Sequence, residues 1–171
     1  MSKKIKSILK LVCAIVVAQL AGIIGAFFTT PAIDGWYAGL VKPALNPPAW
    51  VFGPVWTTLF VLMGVSAWLV WRKLENHPWW MIWSKGNGRQ IKIALGIFLG
   101  QLVLNTLWSI IFFGWHNPGL AFAEVILLWL AIIATIVAFK RVSKTAAWLL
   151  APYLVWVSFA AYLNLSLWLL N

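Results

Sequence analysis

The sequence predicts an all-α integral membrane protein, built as a bundle of five transmembrane helices. Of its 171 residues, 63% are hydrophobic and only 9% are charged, which is far outside the composition of soluble domains. Five apolar runs fill most of the chain, and about twenty residues in a helix span a hydrocarbon core of roughly 30 Å. These runs are too long and continuous for the short alternating strands of a membrane barrel.

The apolar runs also give the order of the elements. The first is expected to end at Pro31, because proline lacks the amide proton that a helix interior needs. Pro47 and Pro48 suit the start of the second helix, and Pro152 lies near the first turns of the fifth. We expect one transmembrane domain over residues 1–171, with helices at about 11–30, 49–71, 91–113, 120–139 and 145–170 and an outward loop at 31–48.

The basic residues predict the orientation in the membrane. Twelve of the 13 Lys and Arg residues fall before the first run or in alternate gaps after it, and only Lys42 lies in the opposite set of gaps. By the positive-inside rule, the N-terminus is cytoplasmic and the C-terminus is outside. The net charge of +10 is explained by this topology, so we expect a lipid bilayer and no nucleic acid as partner.

Groups for acid-base or metal chemistry are scarce. Asp34, Glu75 and Glu124 are the only carboxylates and His77 and His116 the only imidazoles, and no two of them share a helix face at a spacing of three or four residues. We therefore predict no metal site, no obligatory cofactor and no conventional catalytic residues. Glu124 is costly in lipid, so it is expected to point inward or toward the outer surface.

Tryptophan is abundant, with 14 residues. Trp56, Trp108, Trp129 and Trp156 lie inside apolar runs, where an indole needs a partner for its N–H or a flat molecule against its face. These indoles either pack the core or line a binding site.

Polar residues on the third helix extend this choice. Gln101 and Asn105 are four residues apart and share a face, which Trp108 and Ser109 continue. Amides inside a membrane either pair between helices or face a cavity, and the sequence leaves both interpretations open. Asn164 and Gln19 are expected to link helices.

The first loop is unusually aromatic for an outward segment. Trp36, Tyr37 and Leu40 would serve no purpose in a polar tether, and the prolines that follow restrict the backbone. The loop is predicted to pack as a lid over the bundle, or else to insert these side chains into the membrane interface.

Several spaced motifs resemble the TspO/MBR family, the tryptophan-rich sensory proteins related to the translocator protein or peripheral-type benzodiazepine receptor. The resemblance covers nearly the whole chain. It is carried by Trp36-Tyr37-x-x-Leu40-x-Lys42-Pro43, Pro47-Pro48-x-Trp50-x-Phe52-x-Pro54-Val55-Trp56-Thr57, Asn105-x-x-Trp108-Ser109-x-x-Phe112-Phe113, and Pro152-Tyr153-x-x-Trp156-x-x-Phe159-Ala160-x-x-Leu163-Asn164.

The resemblance implies a receptor or sensor that binds tetrapyrroles, such as protoporphyrin IX or haem, in an aromatic pocket inside the membrane beneath the first loop. The implied alternatives are a porphyrin transporter and a membrane enzyme that degrades porphyrin photochemically, in which case Trp56 and Trp156 would take part. The implied ligand-binding residues are Trp36, Tyr37, Trp56, Gln101, Asn105, Trp108, Trp156 and Ala160.

The resemblance also implies a homodimer. Gly96 and Gly100 on the third helix form a small-x-x-x-small pair that suits close helix contact, although packing within one chain is the alternative.

No Lys or Arg follows Tyr162, so the sterol motif of the animal relatives is missing and cholesterol is a doubtful ligand. The expected location is a bacterial cell membrane.

Overall fold

The computed structural model describes residues 2–76 and 87–171, which form helices joined by short connections. His77 and Lys85 lie outside the described residues. Five helical stretches are long and apolar enough to cross a membrane, and the described residues contain no strand, which confirms the predicted fold class. The α-helices are α1 (Lys3–Ala32), α2 (Ala49–Trp71), α3 (Asn87–Ser109), α4 (Pro118–Val142), α5 (Lys144–Leu149) and α6 (Ala151–Leu170).

The first helix does not end at Pro31, so the expected boundary at residue 30 is wrong. Pro31 lies inside α1, which continues directly into a π-helical turn at Ile33–Tyr37. Proline removes one backbone donor from the helical ladder, but the helix continues past Pro31, and the wider π turn begins two residues later. The loop to α2 is therefore shorter than residues 31–48, and Trp36 and Tyr37 extend from a helix end.

The fifth membrane span consists of two helices that meet at Leu150. Pro152 cannot donate to the carbonyl four residues before it, and Leu150 caps α5 by donating its N–H to the Ala147 carbonyl at 3.2 Å. α5 packs against α2, where the Ser66 hydroxyl donates to the Ala146 carbonyl at 2.7 Å. α6 packs against α4, which α5 also contacts.

The helices pack as neighbours around two clusters of buried apolar residues, a large one and a smaller one that includes Ile111 and Phe112. α1 contacts α2 and α3, and α4 contacts α3 as well as α6. The α1–α2 contact is very close at Gly64, where an added Cβ would lie 2.5 Å from the Ile15 Cα. Thr106 of α3 donates to the Ala21 carbonyl of α1 at 3.1 Å. A second π turn, Ile110–Gly114, ends α3 near the α1–α2 loop.

Candidate functional site

A cavity of about 480 Å³ lies among α1, α2, α3 and α6, beneath the connection between α1 and α2. Its volume is within the range of roughly 300–1,000 Å³ that is typical of small-molecule sites. Most of the lining is apolar or aromatic. The aromatic residues that line it are Tyr37, Trp50, Phe52, Trp56, Phe60, Trp108, Phe112, Phe113 and Trp156.

Three of the aromatic residues in the wall are indoles carried on three different helices, Trp56, Trp108 and Trp156. Trp56 of α2 stacks on Phe60 with ring centroids 5.7 Å apart. Trp108 of α3 stacks on Phe112 at 5.1 Å. Trp156 of α6 meets the Phe52 ring of α2 edge to face, with centroids 5.9 Å apart. Such contacts hold the indole rings in defined orientations and present flat apolar surfaces to the cavity.

The indole N–H groups of the wall differ in their partners. Trp108 Nε1 donates to Asn164 Oδ1 at 2.9 Å, and Asn164 Nδ2 donates to the Pro118 carbonyl at 2.7 Å. Asn164 thus links α3, α6 and α4, as its position inside an apolar run predicts. Trp156 Nε1 is buried and finds no acceptor within residues 2–76 and 87–171.

The turn and loop above the cavity are held in place by a set of hydrogen bonds. The Tyr37 hydroxyl donates to Asn46 Oδ1 at 2.9 Å. The Asn171 side chain accepts from the Val41 N–H at 2.9 Å and donates to the Val41 carbonyl at 3.2 Å. The Lys42 ammonium lies 5.0 Å from the centre of the Tyr37 ring. We refer to residues 33–48 as the lid.

Six of the eight residues predicted for ligand binding lie on the cavity wall: Tyr37, Trp56, Asn105, Trp108, Trp156 and Ala160. Trp36, which belongs to the lid, does not, because its ring stacks on His116 at 4.5 Å and meets Phe112 at 5.4 Å. Gln101 does not either. It is 1% exposed and hydrogen-bonded to Tyr153 one turn below Asn105, where the cavity does not reach.

The contribution of α1 to the wall was not predicted. Gly22, Gly25 and Ala26 line the cavity, and a Cβ at Gly22 would collide with the Phe60 ring. A Cβ at Gly25 would lie 2.9 Å from Ser109 Oγ. Small residues recurring at a spacing of three and four were a sequence signal for a closely approached helix face, although not for a ligand site.

Within residues 2–76 and 87–171, the titratable groups do not assemble into a reactive centre. Glu124 is 7% exposed and points inward, as its cost in lipid predicts, and its carboxyl oxygens have no hydrogen-bond partner among the residues described. The same part of the chain contains no group of three or more His, Cys, Asp and Glu residues that could hold a metal. What the site offers is an apolar, aromatic enclosure.

These features define a class of protein: a multi-pass helical membrane protein with an aromatic-lined cavity among its helices. The family model that matches residues 14–169 is that of the TspO/MBR family, and the chain belongs to this family. The family assignment made from the sequence motifs is confirmed.

Relatives of similar length extend this result. The chain is 43% identical over 165 residues to the tryptophan-rich protein TspO of Archaeoglobus fulgidus, covering 96% of this chain and 99% of that one. It is 41% identical over 153 residues to the human translocator protein, covering 87% and 85%. It is 39% identical over 150 residues to the tryptophan-rich sensory protein of Cereibacter sphaeroides, covering 86% and 85%.

Proposed function

We propose that this membrane protein binds tetrapyrroles, such as protoporphyrin IX and haem, in the cavity beneath the lid and acts as a receptor or sensor for them. The observation that carries the proposal is the convergence of Trp56, Trp108 and Trp156 from three helices around a space of about 480 Å³. A tetrapyrrole is a large flat apolar ring, and stacking against indole faces suits that shape.

The small residues of the wall support the same ligand class. Ala160 lies on α6 beside Trp156, and Gly22 and Gly25 lie on α1 across the cavity. At Ala160 a larger side chain would extend into the cavity, and Gly22 and Gly25 let the α1 backbone approach Phe60 and Ser109 closely. A wide planar guest requires such room between its aromatic contacts.

The polar edge of a tetrapyrrole also finds suitable partners. Asn105 presents a side-chain amide in the wall, and Lys42 of the lid provides a cation close to Tyr37 at the cavity mouth. A carboxylate on the ring periphery would be attracted to the Lys42 ammonium, which now donates to the Ala38 and Leu40 carbonyls at 3.0 and 3.3 Å.

Filling the cavity tests this proposal. We expect Ala160→Leu to weaken protoporphyrin IX binding by at least roughly tenfold, because the added carbons occupy the space that the ring needs. The measurement is a titration of purified protein, followed by the quenching of tryptophan emission. Ala123→Leu adds the same atoms at an exposed site on α4 and serves as the control. Equal dissociation constants for the two variants and the original protein would contradict binding in this cavity.

Two alternative functions are tested in one experiment. Photochemical porphyrin degradation is favoured by the presence of both Trp56 and Trp156 on the wall, and transport by the name of the human relative. Proteoliposomes loaded with protoporphyrin IX, kept in light or in darkness, report both. Loss of porphyrin only in light, abolished by Trp56→Phe with Trp156→Phe, would support degradation, and porphyrin appearing outside the vesicles would support transport. If neither is seen, the receptor proposal stands alone.

A further inference from the structure

A chain of side-chain hydrogen bonds runs from the cavity wall into the core. Asn105 Nδ2 donates to the Tyr153 hydroxyl at 3.0 Å, and that hydroxyl donates to Gln101 Oε1 at 2.9 Å. Gln101 Nε2 then lies 3.7 Å from Met63 Sδ. Of these four residues, only Asn105 lines the cavity, and the other three are at most 1% exposed.

The far end of this chain fixes its direction. A thioether sulfur accepts a hydrogen bond weakly and cannot donate one. If the Gln101 amide were turned over, its oxygen would face the Met63 sulfur and two acceptors would meet in a buried site. Gln101 therefore presents its oxygen to Tyr153, and the single hydroxyl proton of Tyr153 is used there.

The direction of the chain determines which atom of Asn105 faces the cavity. Because the Tyr153 hydroxyl has given its proton to Gln101, it can only accept from Asn105, so the Asn105 amide nitrogen is held toward the core. No donor in the described part of the chain bonds to Asn105 Oδ1. The neighbouring polar atoms of Trp108 and Asn164 are engaged with each other. The Asn105 side-chain carbonyl oxygen is therefore a free acceptor on the cavity wall.

We propose that Tyr153 is a positioning residue that holds the Asn105 side-chain carbonyl toward the cavity and makes the site selective for guests with an N–H or O–H donor at their edge. The positioning itself is a property of the empty protein. The selectivity rests on the proposed function, because it takes a tetrapyrrole as the guest. A neutral carboxylic acid or a carboxamide on the ring periphery supplies such a donor, whereas a methyl ester supplies none.

The positioning is tested without any ligand. In protein labelled with 15N at asparagine side chains, the Asn105 amide protons should exchange with D₂O at least roughly tenfold more slowly than in Tyr153→Phe, which removes the bond acceptor but keeps the ring. Trp129→Phe is the control, because it breaks the comparable bond from Trp129 Nε1 to Ser158 Oγ away from the cavity. Equal exchange of Asn105 in the original protein and in Tyr153→Phe would overturn the positioning role.

A second variant keeps this test decisive if Tyr153→Phe does not fold. Met63→Leu removes the sulfur acceptor at the far end of the chain and keeps the side-chain volume. Both orientations of Gln101 then become equivalent at that end, so exchange of the Asn105 amide protons should also become faster, by a smaller factor. Unchanged exchange in this variant would contradict the argument that Met63 sets the direction.

The selectivity is tested with two porphyrins that share one ring, a dicarboxamide and a dimethyl ester. One hydrogen bond predicts binding of the dicarboxamide roughly 3- to 10-fold tighter in the original protein, and a ratio near one in Tyr153→Phe. Equal binding of both by the original protein would overturn the selectivity. If neither porphyrin binds, the proposed function and this selectivity both fail, and the exchange measurement still decides the positioning role.

Discussion

Single glycines determine how closely the helices approach one another. At Gly64 an added Cβ would lie 2.5 Å from the Ile15 Cα and 2.9 Å from its backbone nitrogen. Because the obstacle is backbone and not the tip of a flexible side chain, α1 would have to move away from α2. Inside lipid no hydrophobic effect drives helices together, so they associate largely through the van der Waals contacts that such close approach allows.

We expect Gly64→Ala to destabilise the protein by about 1–3 kcal/mol, the usual cost of overpacking a core. Gly53→Ala, on the same helix, is the matched control, since its Cβ would meet nothing within 4 Å. Thermal unfolding in detergent measures both. A melting temperature for Gly64→Ala that matches that of Gly53→Ala would show that α1 and α2 are less tightly apposed than described.

Residue spacing predicted the face of the site but not its depth. The spacing of Gln101, Asn105 and Trp108 placed them on one helix face, and the structure places them at different depths relative to the cavity. Asn105 and Trp108 line the cavity, whereas Gln101 lies below it and bonds to Tyr153. Helical periodicity gives a direction around an axis, and only the packing of the other helices decides where a cavity ends.

At the scale of elements, two prolines with similar signals have different outcomes. Pro31 lies within α1, which goes on into the π turn Ile33–Tyr37, whereas the helix of the fifth span is interrupted at Leu150, two residues before Pro152. The sequence shows that a backbone donor is missing in each case. Whether a helix continues past the missing hydrogen bond or is interrupted there depends on what its next turn packs against, which the sequence does not show.

The first loop illustrates how such an error affects the site. Because α1 extends past Pro31, Tyr37 is carried on a helical turn and its hydroxyl is fixed by Asn46. The lid predicted from its aromatic content is present over the cavity, but its inner part is helical. Aromatic composition indicated where the lid packs, and the π turn that orients Tyr37 had no recognisable sequence signal.

At the scale of the whole molecule, we propose a homodimer formed through α3. Gly96 and Gly100 lie one turn apart and are exposed, and a Cβ built at either meets nothing within 4 Å. The alternative of packing within one chain therefore has no support from the residues described. Exposed Ile93, Leu99 and Val103 surround the two glycines and offer apolar surface for a second copy.

Gly100→Ile should convert the dimer to a monomer, because a branched side chain prevents close contact between the two α3 helices. Ala134→Ile, at an exposed position of α4, is the control and should leave the assembly unchanged. Native mass spectrometry from detergent distinguishes the two states. A dimer that persists in Gly100→Ile would exclude this interface.

The orientation in the membrane, with the N-terminus in the cytoplasm, stays a prediction from the basic residues.

The most direct measurement of the central claim is an experimental structure of the protein with bound protoporphyrin IX. The account predicts the ring among Trp56, Trp108 and Trp156, beneath the lid and beside Ala160. A ring seated on the lipid-facing surface of the helices, with this cavity still empty, would contradict it.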